Sequence, residues 1–258
     1  MPDRGLQEAI RAAGGVTELA RRIGISQPSV SNWSRIPAER VLTVEAVTGV
    51  ARAILRPDLY NENNKTTGVD DVDLARAQEY ALLAALLTRA PDVAFLQRLA
   101  MLRGDPTPLG VAHVGLADAA ATADATQVER EFFNLFIGIG RGELMPYGSY
   151  YIAGFLHERP LARLREDLAG LGIERAEGQY ESEDHAAILC EIMSGMAGGQ
   201  FPAPAGADRH LFEKHLAPWL GRFFADLERA DGADFYRRVG TLGRVFIDIE
   251  SEAFALSE

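Results

Sequence analysis

Apolar residues recur at helical spacing along most of the chain. The clearest case is residues 160–171, where leucines 161, 164, 168 and 171 share one helix face and charged residues occupy the other. Similar patterns predict further helices over residues 73–89, 91–102, 108–121, 124–137, 183 or 184 to 196, 208–228 and 232–255, with a short one from Ser149. No stretch of strand length alternates β-branched and polar residues. The pattern therefore predicts an all-α fold, with a helical bundle as its larger part.

The first 60 residues carry shorter helical patterns that predict a helix-turn-helix. Residues 16–23 and 27–34 read as two short helices around Gly24. Ala20 is small enough to let the helices cross closely, Gly24 accepts a left-handed turn, and Val30 pins the second helix to the first. Ser26 precedes the second helix and is expected to cap it.

Charge divides the chain in the same place. Residues 1–60 hold 8 Lys/Arg and 6 Asp/Glu, a net +2, whereas the remainder holds 18 and 31, a net −13. Residues 61–71, between the two parts, are polar and lack periodicity, which is typical of a linker. We therefore predict two modules, residues 1–60 and 72–258, with different partners. The acidic module would repel nucleic acid and suit a basic, arginine-containing peptide.

A Gly-rich and aromatic-rich loop follows a helical pattern within residues 131–151. Glycine loses more backbone entropy on folding than any other residue, and exposed aromatic side chains often mark binding sites. The loop is therefore predicted to serve recognition. Gly138, Gly140 and Gly142 follow a helix rather than a strand and lack the Lys-Ser/Thr of a P-loop, which argues against a phosphate site.

Several classes of function are excluded by composition and spacing. No run of about 18 apolar residues suggests a membrane span, and acidic residues near Met1 argue against a signal peptide. The single cysteine, Cys190, excludes internal disulfides and a cysteine metal cluster. His210 and His215 are five residues apart, a poor spacing for two metal ligands on one helix face. We predict a cytoplasmic protein with no metal, no cofactor and no membrane partner.

The Asp184-His185 pair invites an acid–base interpretation, but its context argues against an enzyme. A hydrolase would also need a nucleophile and an oxyanion site, and Ser149 has no Gly-x-Ser-x-Gly context. We expect Asp184 to cap its helix and His185 to pack against the Gly-rich loop.

Residues 19–33 (LARRIGISQPSVSNW) and their continuation to residue 60 resemble the Cro/YdaS-type DNA-binding family. Gln and Asn amides can pair with adenine edges, whereas Ser and Arg contact phosphates. The resemblance implies a DNA-facing set: Arg21, Gln27, Pro28, Ser29, Ser31 and Asn32. A net charge of +2 is weak for a DNA binder, so a docking or dimerisation module stays open. If duplex DNA is bound, a dimer that reads a palindrome is expected.

Four sequence motifs in the acidic module point to a second family. Glu143, Pro146, Tyr147 and Ser149 form Glu-x-x-Pro-Tyr-x-Ser, and residues 181–185 (ESEDH) approach Glu-Pro-x-Asp-His. Residues 215–219 (HLAPW) and 235–236 (FY) complete the series. Over residues 72–256 the chain resembles the TorD/DmsD/NarJ family of redox-enzyme maturation chaperones. Ser182 replaces the usual proline, and we expect it to loosen the turn before Asp184.

This resemblance implies a chaperone. Its client would be a molybdenum or tungsten oxidoreductase, with formate dehydrogenase as one candidate, held by its twin-arginine signal peptide or N-terminal segment until cofactor insertion is complete. Acidic and aromatic side chains complement two arginines and an apolar stretch. The implied peptide-binding residues are Glu143, Pro146, Tyr147, Ser149, Tyr150, Tyr151, Glu181, Asp184 and His185.

Two alternatives remain open. The chain could be a DNA-binding transcription regulator that uses the TorD-like module as its sensor. A homodimer, including one that exchanges helices between subunits, is also compatible with the resemblance.

Overall fold

The computed structural model describes residues 4–37, 40–56, 70–175, 178, 181–201 and 203–256. Its contacts divide the chain into two units, Met1–Gly68 and Val69–Glu258. Throughout the described residues the regular elements are helices, apart from one isolated β-bridge between Tyr147 and His185. The all-α prediction is confirmed. Of the predicted linker, residues 61–69 lie outside the described part, and Asp70 and Asp71 lie where a helix begins.

The described residues of the first unit form five short helices around one apolar core: α1 (Arg4–Ala13), α2 (Val16–Ile23), α3 (Gln27–Ser31), α4 (Val41–Thr48) and α5 (Arg52–Leu55). Gly24 ends α2 in the left-handed conformation, at φ 72° and ψ 35°. Ala20 and Val30 are buried on either side of this turn. These positions match the predicted helix-turn-helix, although α3 ends three residues earlier than expected.

One predicted cap in the first unit is wrong. Ser26 occupies the N-cap position of α3, but its side chain accepts no backbone hydrogen bond. Its hydroxyl instead lies 2.7 Å from the hydroxyl of Ser29. The Ser26 hydroxyl is therefore paired with a side chain of α3 and not with a backbone N–H.

The described residues of the second unit form ten further helices. They are α6 (Asp71–Thr88), α7 (Val93–Leu99), α8 (Pro108–Thr122), α9 (Ala125–Phe132), α10 (Gly148–Ala153), α11 (Arg159–Gly170), α12 (Ala186–Ala197), α13 (Ala207–Leu211), α14 (Leu220–Arg229) and α15 (Phe235–Leu256). The main packing pairs are α6 with α12, α14 with α15, and α8 with α15. No described helix is long and apolar enough to span a bilayer.

Local sequence sets where several of these helices begin. Asp70, Asp92, Thr107 and Asp124 each accept a backbone N–H two or three residues into the helix that follows, at 2.7–3.1 Å. Such caps satisfy donors that have no partner within the helix. The cap predicted at Asp124 is among them.

The predicted helix over residues 208–228 is interrupted. A π-helical turn, Phe212–Leu216, follows α13, and α14 starts only at Leu220. Pro218 has no backbone N–H to continue a helix. Trp219, fully buried, donates its indole N–H to the carbonyl oxygen of His215 at 2.7 Å. The break therefore turns Trp219 into the core.

A buried ion network ties α6 to α15 and α13. The Arg76 guanidinium bonds both carboxylate oxygens of Glu250, at 2.8 and 2.9 Å, and also contacts Asp73 and Asp208. The hydroxyl of Tyr80 donates to the same Glu250 carboxylate at 2.9 Å. Glu250 is only 2% exposed, so its charge depends on these partners.

Candidate functional site

The Gly-rich loop leaves α9 through a π-helical turn, Phe133–Ile137. Gly138 follows at φ +61°, and a Cβ atom there would lie 2.1 Å from the carbonyl oxygen of Arg141. This close approach explains why glycine is needed. The side chain of Ile139, at the tip, is 98% exposed.

The loop is joined by backbone hydrogen bonds to the segment that precedes α12. Gly148 N–H donates to the carbonyl oxygen of Asp184 at 2.9 Å, and Ala186 N–H donates to that of Pro146 at 2.8 Å. The β-bridge between Tyr147 and His185 lies between these bonds. Two motifs that are more than thirty residues apart in the sequence therefore form one structure.

Asp184 and His185 have capping roles that differ from the prediction. Asp184 does not cap its own helix: its carboxylate accepts Ser149 N–H at 2.7 Å, near the start of α10. His185 caps α12 instead, since its Nδ1 accepts Ala187 N–H at 3.1 Å. Its ring also packs against Tyr147, with centroids 5.0 Å apart, as predicted.

Ser182 holds the turn that it was expected to loosen. Its hydroxyl donates to the carboxylate of Asp184 at 2.6 Å, and both side chains are buried. A proline at this position could not make this side-chain bond. The serine therefore stabilises the turn before α12 through its bond to Asp184.

Between the loop, α6, α9 and α12 lies a groove of about 510 Å³, called the loop groove below. Its apolar walls come from six large side chains, Leu87, Phe132, Phe136, Ile137, Met145 and Ile188, and from the smaller Ala187. Its polar lining includes Arg141, Tyr147, Glu181 and His185. The groove thus offers a mainly apolar surface with one carboxylate and one guanidinium.

Burial shifts the pKa of two ionisable side chains in the loop groove, Tyr147 and His185. Burial and the Glu181 carboxylate raise the pKa of Tyr147, whose hydroxyl donates to Glu181 at 2.9 Å. Burial lowers the pKa of His185, although the carboxylates of Glu181 and Asp184 oppose the shift. At neutral pH the tyrosine is therefore protonated and the histidine uncharged.

The nine predicted peptide residues do not share one surface. Tyr147, Glu181 and His185 line the loop groove, and Tyr150 lies beside it, with the Arg141 guanidinium 5.8 Å from its ring. Ser149 and Asp184 are at most 3% exposed, and Pro146 is buried too. The structure thus places these three behind the surface, where they hold the loop together.

Glu143 and Tyr151 are directed to a different part of the unit. The Glu143 carboxylate accepts the N–H groups of Asp231 and Gly232, at 2.8 and 3.1 Å. The Tyr151 hydroxyl donates to Asp226 at 3.0 Å, and its ring packs on Trp219. Both residues attach the loop region to α14 and to the turn after it.

Sequence reasoning missed the apolar walls of the groove. Phe132, Phe136 and Ile188 recur at helical spacing and are indistinguishable in sequence from core residues. It also missed Glu131, whose carboxylate accepts three N–H groups at the start of α15, from residues 234–236. That contact joins residues about a hundred positions apart, and no local sequence pattern indicates it.

The predicted DNA-facing residues do lie together on the first unit. All six are exposed, around α3 and the end of α2. The Gln27 amide donates to the Ser31 hydroxyl at 2.8 Å. Hydrogen bonds from Arg21 and Arg22 lower the pKa of Glu18 to about 2, so Glu18 offsets part of the positive charge near this face.

The other candidate groups, the possible metal ligands and the single cysteine, have the surroundings of structural residues. Among the described residues no cluster of His, Cys, Asp and Glu is arranged to hold a metal ion. Cys190 is fully buried, which raises the pKa of its thiol to about 12. His215 lies 2.5 Å from Asp167, which also pairs with Lys214.

Two parts of the chain are similar to known protein families. Residues 103–225 match the family model for the nitrate reductase delta subunit, and residues 6–64 match that for the bacterial toxin YdaS. The chaperone protein TorD of Vibrio cholerae serotype O1 is 26% identical over 130 residues, in both the El Tor Inaba and the Classical Ogawa strains. The aligned part covers 47% of this chain and 59% of the relative. The chain therefore spans less than two thirds of the length of these curated relatives.

A solved structure, assigned to a redox enzyme maturation protein from Archaeoglobus fulgidus, has a TM-score of 0.43 and 18% identity. The alignment covers 68% of this chain and 93% of the other chain, and we base no conclusion about fold or function on this TM-score. The sequence matches, in contrast, agree with both resemblances that the motifs suggested. The chain thus joins a segment similar to the YdaS family, residues 6–64, to a segment similar to the nitrate reductase delta subunit family, residues 103–225.

Proposed function

We propose that this chain is a maturation chaperone, without catalytic activity, for a molybdenum or tungsten oxidoreductase. It would bind the twin-arginine signal peptide or N-terminal segment of the client, with formate dehydrogenase as one candidate. The observation that carries the proposal is the loop groove: its Gly-rich loop and Tyr147–His185 contact lie within the family-matched residues 103–225.

The chemistry of the loop groove suits an apolar segment. Burying one large aliphatic or aromatic side chain contributes about 1.5–3 kcal/mol, and the groove offers six large apolar side chains for such contacts. Ile137 and Ile139, 54% and 98% exposed, extend this apolar surface onto the loop. Covering exposed apolar side chains removes their surface from water, which is favourable in free energy. The loop is therefore suited to contact a bound segment.

We expect Met145→Asp to weaken binding of a twin-arginine peptide at least about tenfold, because the new carboxylate must be desolvated against the apolar walls. Isothermal titration calorimetry with the full chain measures this. Met101→Asp is the matched control, since Met101 is 64% exposed and lies outside the groove. Equal affinity of the Met145 and Met101 variants would remove the loop groove from the proposal.

A second function has one observation in its favour. The Cro/YdaS-like unit exposes Gln27 and Asn32 on one side, and both amides can read adenine edges. In this alternative the chain is a transcription regulator, and peptide binding by the TorD-like segment changes its occupancy of DNA.

The alternative predicts that the wild-type chain retards duplex DNA in a gel at low salt, and that Gln27→Ala with Asn32→Ala weakens the complex about tenfold or more. Gln97→Ala, which removes an exposed amide from the second unit, is the control and should bind like wild type. If the wild-type chain retards no DNA while it binds the peptide, only the chaperone function stands.

A further inference from the structure

We propose that a second surface binds the arginine pair of the client segment, while the loop groove takes its apolar stretch. This surface is the cleft between α8, α9 and α15, called the carboxylate cleft below, with a volume of about 790 Å³. The proposal rests on the proposed function, because it divides one peptide between two places on the second unit.

The carboxylate cleft is bordered by an uncovered face of α8. Val111, Val114 and Asp118 follow one another at helical spacing, so they lie along one side of the helix. The two valines are 62% and 42% exposed. A helix face that leaves two β-branched apolar residues beside a carboxylate is suited to a segment that is both apolar and cationic.

The charges of this cleft favour a cation. Four carboxylates line it, from Asp118, Asp124, Glu131 and Asp234, against the single guanidinium of Arg238. Asp124 and Glu131 already accept backbone N–H groups at the starts of α9 and α15. For the side chains of Asp118 and Asp234, the described part of the chain shows no hydrogen bond or ion pair. Two carboxylates are therefore available for two guanidinium groups.

The loop groove lacks this capacity. Asp184 is buried and committed to Ser149, and Glu143 is held by the turn after α14. Glu181 accepts the Tyr147 hydroxyl, and the groove also contains Arg141. With one carboxylate and one guanidinium, the loop groove has no net negative charge to attract an arginine pair.

One continuous segment connects the two surfaces. Gln127 and Glu131 of α9 line the carboxylate cleft, whereas Phe132 and Phe136 line the loop groove. A helix rises about 1.5 Å per residue, so Glu131 and Phe136 are separated by roughly 8 Å along the axis, but at 3.6 residues per turn they lie on different faces. A peptide that contacts both surfaces must therefore also cross the helix, whose diameter with side chains is about 10–12 Å. An extended segment of roughly six or more residues is long enough to do so.

Calorimetry with the full chain and two peptides tests the division. One peptide carries Arg-Arg before an apolar stretch, and in the other Gln-Gln replaces the arginines. In the double variant D118N/D234N we expect the Arg-Arg peptide to bind about tenfold more weakly, as expected for two charge pairs, and to lose its advantage over Gln-Gln. The control E166Q/E252Q removes two exposed carboxylates outside the cleft and should keep that advantage.

The outcomes separate this inference from the proposed function. If D118N/D234N still prefers Arg-Arg as wild type does, or if wild type binds both peptides equally, the carboxylate cleft does not read the arginines, yet the chaperone function stands. If wild type binds neither peptide, the proposed function fails and the inference with it. Both replaced aspartates are exposed, so circular dichroism should show unchanged folding.

Discussion

Arg76→Met is expected to lower the free energy of unfolding of the second unit by about 3–5 kcal/mol, since breaking a buried ion pair leaves an uncompensated charge. Methionine keeps most of the apolar stem of Arg76 but removes the guanidinium. Among the described residues, the Tyr80 hydroxyl would then be the one remaining hydrogen-bond partner of the Glu250 carboxylate, which is 2% exposed. Most of the cost comes from that stranded carboxylate.

Urea denaturation followed by tryptophan fluorescence measures this loss. The chain has two tryptophans, Trp33 and Trp219, so a Trp33→Phe background makes Trp219 report on the second unit alone. Arg165→Met is the control, because Arg165 is half exposed and its partner Glu183 keeps an ion pair with Arg175. Exposed pairs contribute about 0.2–1 kcal/mol.

A double variant checks the physical reason. Arg76→Met with Glu250→Gln removes both charges, and a neutral amide can still accept the Tyr80 hydroxyl. It should recover much of the stability that Arg76→Met loses, since removing both members of a buried pair costs less than removing one. A double variant no more stable than Arg76→Met would show that packing, not the stranded charge, causes the loss.

Asp184→Ala is expected to cost roughly 3 kcal/mol and to abolish peptide binding at the loop groove. The change removes two charge-assisted hydrogen bonds, from Ser149 N–H and the Ser182 hydroxyl, and leaves both donors without this acceptor. The loop and the start of α12 would lose one of the side-chain contacts that join them. The groove, whose polar end depends on this junction, should then lose its shape.

Hydrogen exchange over residues 146–157, together with thermal unfolding, measures the effect. Asp184→Asn is the matched variant, because its amide oxygen can still accept Ser149 N–H. It should keep slow exchange and lose less stability. If Asp184→Ala exchanges as slowly as wild type, Asp184 does not organise the loop, and its role would have to be assigned elsewhere.

Features that depend on neighbouring residues were predicted well from the sequence, and features that depend on distant residues were not. Apolar periodicity depends on neighbours three and four residues away, and it located most helices to within a few residues. Gly24 and Asp124 were assigned correctly because a left-handed turn and an N-cap are local features. The break before Trp219 was missed, since the helical pattern continues through Pro218.

In the candidate site, the partners of several side chains lie far away in the sequence and could not be predicted from it. Asp184 was expected to cap the helix next to it in sequence, but its partner is Ser149, 35 residues away. Glu143 belongs to a family motif, yet its carboxylate holds a turn 88 residues further along the chain. Nothing in the local pattern distinguishes a carboxylate that binds a distant N–H from one that faces solvent.

The amino-acid sequence is sufficient to predict the helical class, the helix-turn-helix, the charge difference between the two parts and the residues that carry both family resemblances. These depend on local spacing and composition, which can be read along a linear chain. The three-dimensional packing sets which carboxylates accept backbone N–H groups and which apolar side chains line a groove instead of the core. Those roles depend on long-range packing, because a side chain's partners are set by which distant segments the fold places against it.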